Sequence, residues 1–217
     1  MNGDIHERIR AMRVDYDRHI LLEHQSPLEP MPLFEEWFEQ AVSHRLPEPN
    51  AMVLSTADAH GRPSCRMVLL KDFGPEGFTF FTNYESRKGR DLTANPRACL
   101  LFFWHALQRQ ISIEGSVQKV DALDSDVYFH SRVTDARIST WASLQSSVVE
   151  SREDLKTRFE AARERFDGKK IPRPDYWGGF CVVPDVFQFW QGRPNRMHDR
   201  LRYRLAAGAW LRERLAP

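Results

Sequence analysis

Between Ala51 and Val120 the chain reads as short strand-like runs separated by tight turns. This stretch constrains the fold more than any other. Ala51 to Thr56 and Pro63 to Lys71 flank the turn Asp58-Ala59-His60-Gly61, the pattern of a hairpin. Gly74 to Gly77 turns the chain into Gly77 to Asn83, where Phe78, Phe80 and Phe81 mark another β run. Arg97 to Trp104 and Arg109 to Val120 follow, with Ile111, Ile113, Gly115 and Val117 alternating against polar partners. Further runs are expected at Gly179 to Val183, Val186 to Gln191, Arg200 to Leu205 and Trp210 to Leu215. Strands in hairpin-like succession predict a mainly antiparallel α+β sheet, rolled to hide its edges, and argue against a doubly wound fold.

Helices fall between the strand groups. Ile5, Ile9, Met12 and Tyr16 recur at helical spacing near the start. Pro32 opens a stronger helix in which Leu33, Phe34, Trp37, Phe38, Ala41 and Val42 form one stripe. Ser86 to Ala94 is a short helix stopped by Asn95-Pro96, and Leu123 to Ser131 is another. In Arg152 to Phe166, Ser151 and Asp154 suggest the cap and Leu155, Phe159, Ala162 and Phe166 the buried stripe.

Composition narrows the function classes. The 31 basic and 30 acidic side chains of the 217 residues leave a formal charge of +1, unlike a globally basic nucleic-acid binder. The longest apolar run, Ala98 to Trp104, falls far short of the roughly 20 residues of a membrane span. Cys65, Cys99 and Cys181 are too scattered for a disulfide framework or a zinc site, and no secretory signal is visible, so a cytoplasmic protein is expected. No GxGxxG or GxxxxGK[ST] motif occurs. Charge is uneven locally: from Arg193 to Pro217, seven Arg face only Asp199 and Glu213. That suits a local anion site or a subunit contact, and equally a solvated face.

Four groups of residues carry possible chemistry. Ser86 sits where a helix N-cap belongs, yet Arg87 and Lys88 follow it. Cations there oppose the helix dipole by about 0.3–1 kcal/mol each. An anion such as phosphate, docking on free N–H groups, would offset that cost, although two solvated surface charges fit the same pattern. Arg66 and Lys71 bracket an apolar strand with opposite parity, which suits two separate anions or simply polar strand ends. Tyr128 and Arg132 are four apart on one helix face and can hold a phosphate or carboxylate, or form an ordinary surface pair. Between two β runs, Trp190 offers a flat wall, Arg196 and His198 point the same way if extended, and Asp199 lies beside the imidazole.

Taken together, these blocks resemble the pyridoxine/pyridoxamine 5′-phosphate oxidases. The resemblance runs the length of the chain. It rests on Arg66-Met-Val-Leu-Leu-Lys71, Phe81-Thr82-Asn83, Ser86-Arg87-Lys88, Gln145-Ser146-Ser147, Tyr176-Trp177-Gly178-Gly179, Phe189-Trp190-Gln191-Gly192, Arg196-Met-His-Asp-Arg200 and Arg214-Leu-Ala-Pro217.

The resemblance implies an FMN-binding split β-barrel with flanking helices, working as a homodimer with FMN at the subunit interface. It further implies a helical lid over residues 1–24 and one domain over 25–217. Carried over by position, Arg66, Lys71, Phe81 (through its backbone), Thr82, Arg87, Lys88, Gln110, Gln145, Ser146, Trp190 and Arg200 become FMN-site residues. Lys71, Tyr128 and Arg132 become the grip on the substrate phosphate. Arg196 and His198 become the catalytic pair facing the pyridine ring, with Arg13 and Tyr16 closing over it.

The chain departs from the family pattern in places. Ala136 stands for a frequent Ser, Val14 for a frequent Arg, Met197 for Leu, and Ile138-Ser-Thr-Trp141 for Ile-Gly-Ala-Trp.

The expected activity is oxidation of pyridoxamine or pyridoxine 5′-phosphate to pyridoxal 5′-phosphate with O₂, giving H₂O₂. Two rivals remain. One is a flavin oxidase or reductase of the same fold acting on another substrate, as in phenazine biosynthesis. The other is a non-catalytic nucleic-acid module using Arg200, Arg202 and Arg204. Neither nucleic acid nor membrane is expected as a partner.

Overall fold

The computed structural model describes residues 4–217. Their elements run α1 (Ile5–Ala11), α2 (Pro30–Ser43), β1 (Ala51–Ala57), β2 (Pro63–Leu69), β3 (Asp72–Gly74), β4 (Gly77–Asn83), α3 (Arg87–Ala94), β5 (Arg97–Trp104) and β6 (Arg109–Lys119). Then come α4 (Ala122–Ser131), α5 (Thr134–Ala142), α6 (Arg152–Arg165), β7 (Trp177–Gln191), β8 (Asp199–Ala206) and β9 (Ala209–Arg214). Among the described residues no helix is long and apolar enough to cross a membrane. The chain divides into two compact units, with boundaries falling inside β5, β6 and β7.

One unit comprises Asn50–Phe102 and Ser112–Val186. Its strand order is β2-β1-β5-β6-β7-β4-β3. The β1–β2 hairpin pairs Leu54 with Arg66 and Thr56 with Ser64, and β4 pairs antiparallel with β7 from Phe78↔Val182 to Asn83↔Trp177. Period-2 patterning does the sorting. Met52 and Leu54 of β1, Phe78 and Phe80 of β4, and Leu100 and Phe102 of β5 are fully buried. A second cluster, Phe129, Ile138, Ala162, Ile171 and Trp177, joins α4, α5 and α6 to the start of β7.

The other unit comprises the chain up to Pro49, Phe103–Ile111 and Phe187–Pro217. Here Leu33, Phe34, Trp37 and Ala41 of α2 are buried together with Phe187, Phe189, Leu201 and Tyr203. Trp37 meets Phe189 edge-on at 5.3 Å. The β8–β9 ribbon pairs Leu201 with Arg214 through Ala206 with Ala209. Arg214 bonds Glu23, Asp199 (2.8 Å) and the Leu21 carbonyl (2.9 Å), pinning the segment before α2 to β9.

Several elements differ from the sequence reading. α2 begins at Pro30, not Pro32, because both prolines sit in the first turn, where no amide has an intrahelical partner. β7 is one strand through Pro184, whose ring costs a single donor and suits extended backbone. α5 was unmarked in the sequence, since Ile138 and Thr140 alone among its nine residues are buried. α1 stops at Ala11 with none of its residues buried, so Met12 and Tyr16 lie beyond it. Leu155 is exposed while Ala162 is buried, which shifts the inner face of α6 towards its C-terminal half.

Candidate active site

The α3 N-terminus is built as the sequence suggested. Ser86 Oγ accepts from the Gly89 amide (3.3 Å). Gly89 has to be glycine, because a Cβ there would lie 2.0 Å from the Tyr84 carbonyl oxygen. Lys88, the residue before it, is only 7% exposed. Its Nζ donates to Gln145 Oε1 (2.9 Å), Thr82 Oγ1 (3.2 Å) and Ser86 Oγ (3.3 Å). All three acceptors are neutral, and among the described residues no carboxylate pairs with this amine. Burial, with Arg66 adding like-charge repulsion, lowers the Lys88 pKa to about 8.

Arg66 is held differently. Its Nη1 donates to the Leu54 carbonyl (3.1 Å) and Thr56 Oγ1 (2.8 Å), and its Nη2 donates to Ser64 Oγ. Both hydroxyls donate in turn to Asp91 Oδ2, at 2.7 and 3.0 Å. With their protons committed to the carboxylate, the two oxygens present lone pairs to the guanidinium.

Lys88, Gln145, Arg66 and Ser64 line a cavity of about 880 Å³. Its other residues include Lys71, Phe81, Thr82, Arg87, Tyr128 and Arg132. Strand parity does not separate Arg66 from Lys71. The chain leaves β2 after Leu69, and the Lys71 amide bonds the Thr79 carbonyl (2.9 Å), so both cations reach one cavity. Phe81 stacks on Tyr128 (centroids 4.0 Å apart) and on Trp177 (5.6 Å). Lys71 Nζ lies 5.9 Å from the Tyr128 ring centre, and the Arg132 guanidinium lies 4.8 Å over Trp177. Burial lowers the Arg132 pKa. Five cations therefore share a cavity whose lining contains no carboxylate. Such an excess of positive charge is stabilised when a dianion enters.

A second cavity, of about 590 Å³, lies in the other unit. It brings together Arg13, Tyr16, Arg196 and His198. Tyr16 meets Trp190 edge-on at 5.7 Å, and His198 lies 4.7 Å from Trp190. The Gly192 backbone is packed so closely that an added Cβ would come 2.7 Å from Tyr16 Cγ. His198 Nδ1 accepts from the Arg193 amide (3.1 Å), and burial, then Arg196, lowers its pKa. Asp199 is committed elsewhere, to the Leu21 amide (3.1 Å), Arg214 (2.8 Å) and Arg193 (3.5 Å). Its charge still raises the pKa of the neighbouring imidazole, but less than burial and Arg196 lower it. Asn195 and Arg196 both hold left-handed backbone (φ 56° and 61°), a conformation costly for residues with a Cβ.

Three sequence candidates line neither cavity: Gln110, half-buried on β6; Trp190, half-buried on β7; and Arg200. Arg200 donates to the Ala216 carbonyl (2.9 Å) and Gln188 (3.2 Å). Conversely, Asp91, Thr140 and Trp177 support the first cavity without having been singled out as site residues. Trp177 stood inside a quoted motif, and Thr140 stood out as a departure; nothing marked Asp91.

A mainly antiparallel α+β fold with a carboxylate-free, five-cation, aromatic-walled cavity defines a class: proteins that hold anionic ring compounds. A family model described as pyridoxamine 5′-phosphate oxidase matches residues 38–166. Another, the pyridoxine 5′-phosphate oxidase C-terminal dimerisation region, matches 177–217. The pyridoxine/pyridoxamine 5′-phosphate oxidase of Bordetella petrii is 53% identical over 210 residues, 96% of this chain and 99% of that protein. Its counterpart in Microcystis aeruginosa is 50% identical over 96% of this chain and 98% of that protein. The chain thus belongs to the pyridoxine/pyridoxamine 5′-phosphate oxidase family.

Among solved structures, PhzG from Burkholderia lata 383, in complex with tetrahydrophenazine-1-carboxylic acid, superposes with a TM-score of 0.85. It is 30% identical, over 91% of this chain and 98% of that one. A pyridoxamine 5′-phosphate oxidase-related, FMN-binding protein from Nostoc punctiforme (TM-score 0.69, 15% identity, 88% and 99% coverage) shares the fold. The α+β fold expected from the resemblance is the fold of these proteins.

Proposed function

We propose that this protein is an FMN-dependent oxidase that converts pyridoxamine 5′-phosphate or pyridoxine 5′-phosphate to pyridoxal 5′-phosphate. O₂ accepts the electrons and H₂O₂ is released; with the amine substrate, water enters and ammonia leaves. The working form is a cytoplasmic homodimer with FMN at the interface between two copies. Similarity of residues 177–217 to a dimerisation region supports the dimer.

The observation that carries this reading is the buried Lys88 amine, solvated by three neutral oxygens and facing a cavity with four further cations and no acid. A phosphate group fits that donor set. We assign Arg66, Arg87, Lys88, Thr82, Gln145 and Ser146 to FMN, with Lys71 at the border of the two ligands and Phe81 contributing backbone. Gln110, Trp190 and Arg200 are assigned to FMN from the matched motifs alone. When bound, FMN would supply the hydride acceptor for the C4′ carbon, with O₂ as the final electron acceptor.

The chain's own residues bind and orient. Lys71, Tyr128 and Arg132 hold the substrate phosphate, remote from C4′, so that its binding energy goes into alignment. Arg196 and His198 face the pyridine ring. Because His198 Nδ1 accepts from the Arg193 amide, the neutral imidazole keeps its proton on Nε2 and offers it to a polar ring substituent. Arg13 and Tyr16, in the segment 1–24 that we read as a lid, exclude water above the ring.

Likeness to PhzG favours a second reading, oxidation of a carboxylated tricyclic compound. Lys71 and Arg132 would then face a carboxylate. The visible spectrum separates the two. Purified yellow protein should bleach on anaerobic addition of pyridoxamine 5′-phosphate and regain colour in air. Flavin-loaded protein that stays yellow would overturn the main reading.

A further inference from the structure

Arg132 ends α4 as its C-cap residue, and its guanidinium lies across aromatic faces, 4.8 Å from the Trp177 ring centre and 5.8 Å from that of Phe129. Ring faces fix the plane of a guanidinium but leave it free to slide and rotate. Among the described residues, the one hydrogen bond that fixes it comes from Thr140: Nη1 donates to Thr140 Oγ1 at 2.9 Å. Thr140 is itself strongly constrained. It is only 8% exposed, its hydroxyl donates to the Ala136 carbonyl (3.1 Å), and its carbonyl accepts from Tyr176 Oη (3.2 Å). With the hydroxyl proton spent on the helix carbonyl, the oxygen lone pairs are aimed at Arg132. Among the described residues no carboxylate pairs with Arg132. Its remaining donors are thus left for a ligand, in a cavity that Thr140 also lines.

We propose that Thr140 is a positioning residue that locks the Arg132 guanidinium for a phosphate monoester and so sets the preference for phosphorylated over unphosphorylated substrate. A hydroxyl suits this task better than a carboxylate would. It orients the cation without neutralising it, and the full charge remains for the ligand. Valine at this position keeps the shape and removes the acceptor, and serine keeps the acceptor. The inference rests on the proposed role of Arg132 in gripping the substrate phosphate, and the test separates the two.

With FMN-loaded protein, T140V should raise KM for pyridoxamine 5′-phosphate by about ten-fold, the effect of one hydrogen bond to a charged group. The kcat should stay within about two-fold, and KM for unphosphorylated pyridoxamine should not change. Calorimetric titration with inorganic phosphate should show the same loss of about ten-fold in affinity, with T140S restoring both values. Should the valine variant fail to fold, T140A carries the same expectation. Unchanged phosphate affinity in T140V, an equal rise of KM for both substrates, or no phosphate binding by the parent protein overturns the proposal. If the parent binds phosphate in a Thr140-dependent way yet oxidises neither B6 compound, the positioning role stands and the oxidase reading falls.

Discussion

Lys88→Met should act in opposite directions on the empty and the loaded protein. At pH 7 the Lys88 amine is protonated in both folded and unfolded chains. Burial, however, has lowered its folded pKa from 10.5 to about 8, so the unfolded chain holds the proton more tightly. That difference is worth about 3 kcal/mol at ~1.4 kcal/mol per tenfold. Water in the open cavity screens part of it, leaving about 1–2 kcal/mol. Between pH ~8 and ~10.5 the unfolded state binds more protons than the folded one, so apoprotein stability rises across that window.

Methionine removes the buried charge at similar length, while Thr82 Oγ1 still donates to Gln145 Oε1 (3.0 Å). The flavin-free variant should therefore melt about 2–8 °C higher at pH 7, given roughly 2–4 °C per kcal/mol for a chain this size. Its stability should also lose the rise with pH above ~8. FMN affinity, by contrast, should fall about 10- to 150-fold, the loss of one charge-assisted hydrogen bond of about 1.5–3 kcal/mol. Differential scanning fluorimetry of the apoprotein at pH 7 and 10, with FMN fluorescence quenching for affinity, reads both. An apoprotein that melts lower than the parent, together with unchanged FMN binding, refutes the reasoning.

Three further outcomes test other parts of the site. Lys71→Met should raise KM for the phosphorylated substrate by about ten-fold or more with FMN still bound, since a charged contact to phosphate is lost; an unchanged KM removes Lys71 from the grip. His198→Asn keeps a small polar group but loses the Nε2 donor, so kcat should fall more than KM rises, and normal steady-state kinetics would exclude that role. Gly192→Ala places a methyl 2.7 Å from Tyr16 Cγ. It should push the 12–18 segment outward and speed tryptic cleavage at Arg13 and Arg18; a cleavage rate equal to the parent's shows that the segment is not held there.

The antiparallel hairpins, the Ser86 cap and the two cations that follow it were legible in the sequence because each depends on neighbours a few residues away. Period-2 burial sets strand faces, and a hydroxyl three residues before an amide sets a cap. The family resemblance named Arg66, Lys71, Tyr128 and Arg132 of one cavity and Arg13, Tyr16, Arg196 and His198 of the other. Local rules also misled. Parity separated Arg66 from Lys71, because the register of a strand says nothing about where the chain leaves it. Adjacency set Asp199 beside His198, and its charge does act on the imidazole, but the carboxylate's bonds go to Leu21, Arg193 and Arg214.

The order of strands and helices, the near-zero net charge and the positions of the cations are properties of the chain as written. Which cations face neutral oxygens and which face an acid is settled only by tertiary contacts. Asp91 reaches Arg66 directly at 3.9 Å and through Thr56 and Ser64, Gln145 reaches Lys88 across 57 positions, and Thr140 reaches Arg132 from the next helix. The physical reason is that desolvation and hydrogen-bond direction decide how available a charge is to a ligand, and both are set by packing between distant segments.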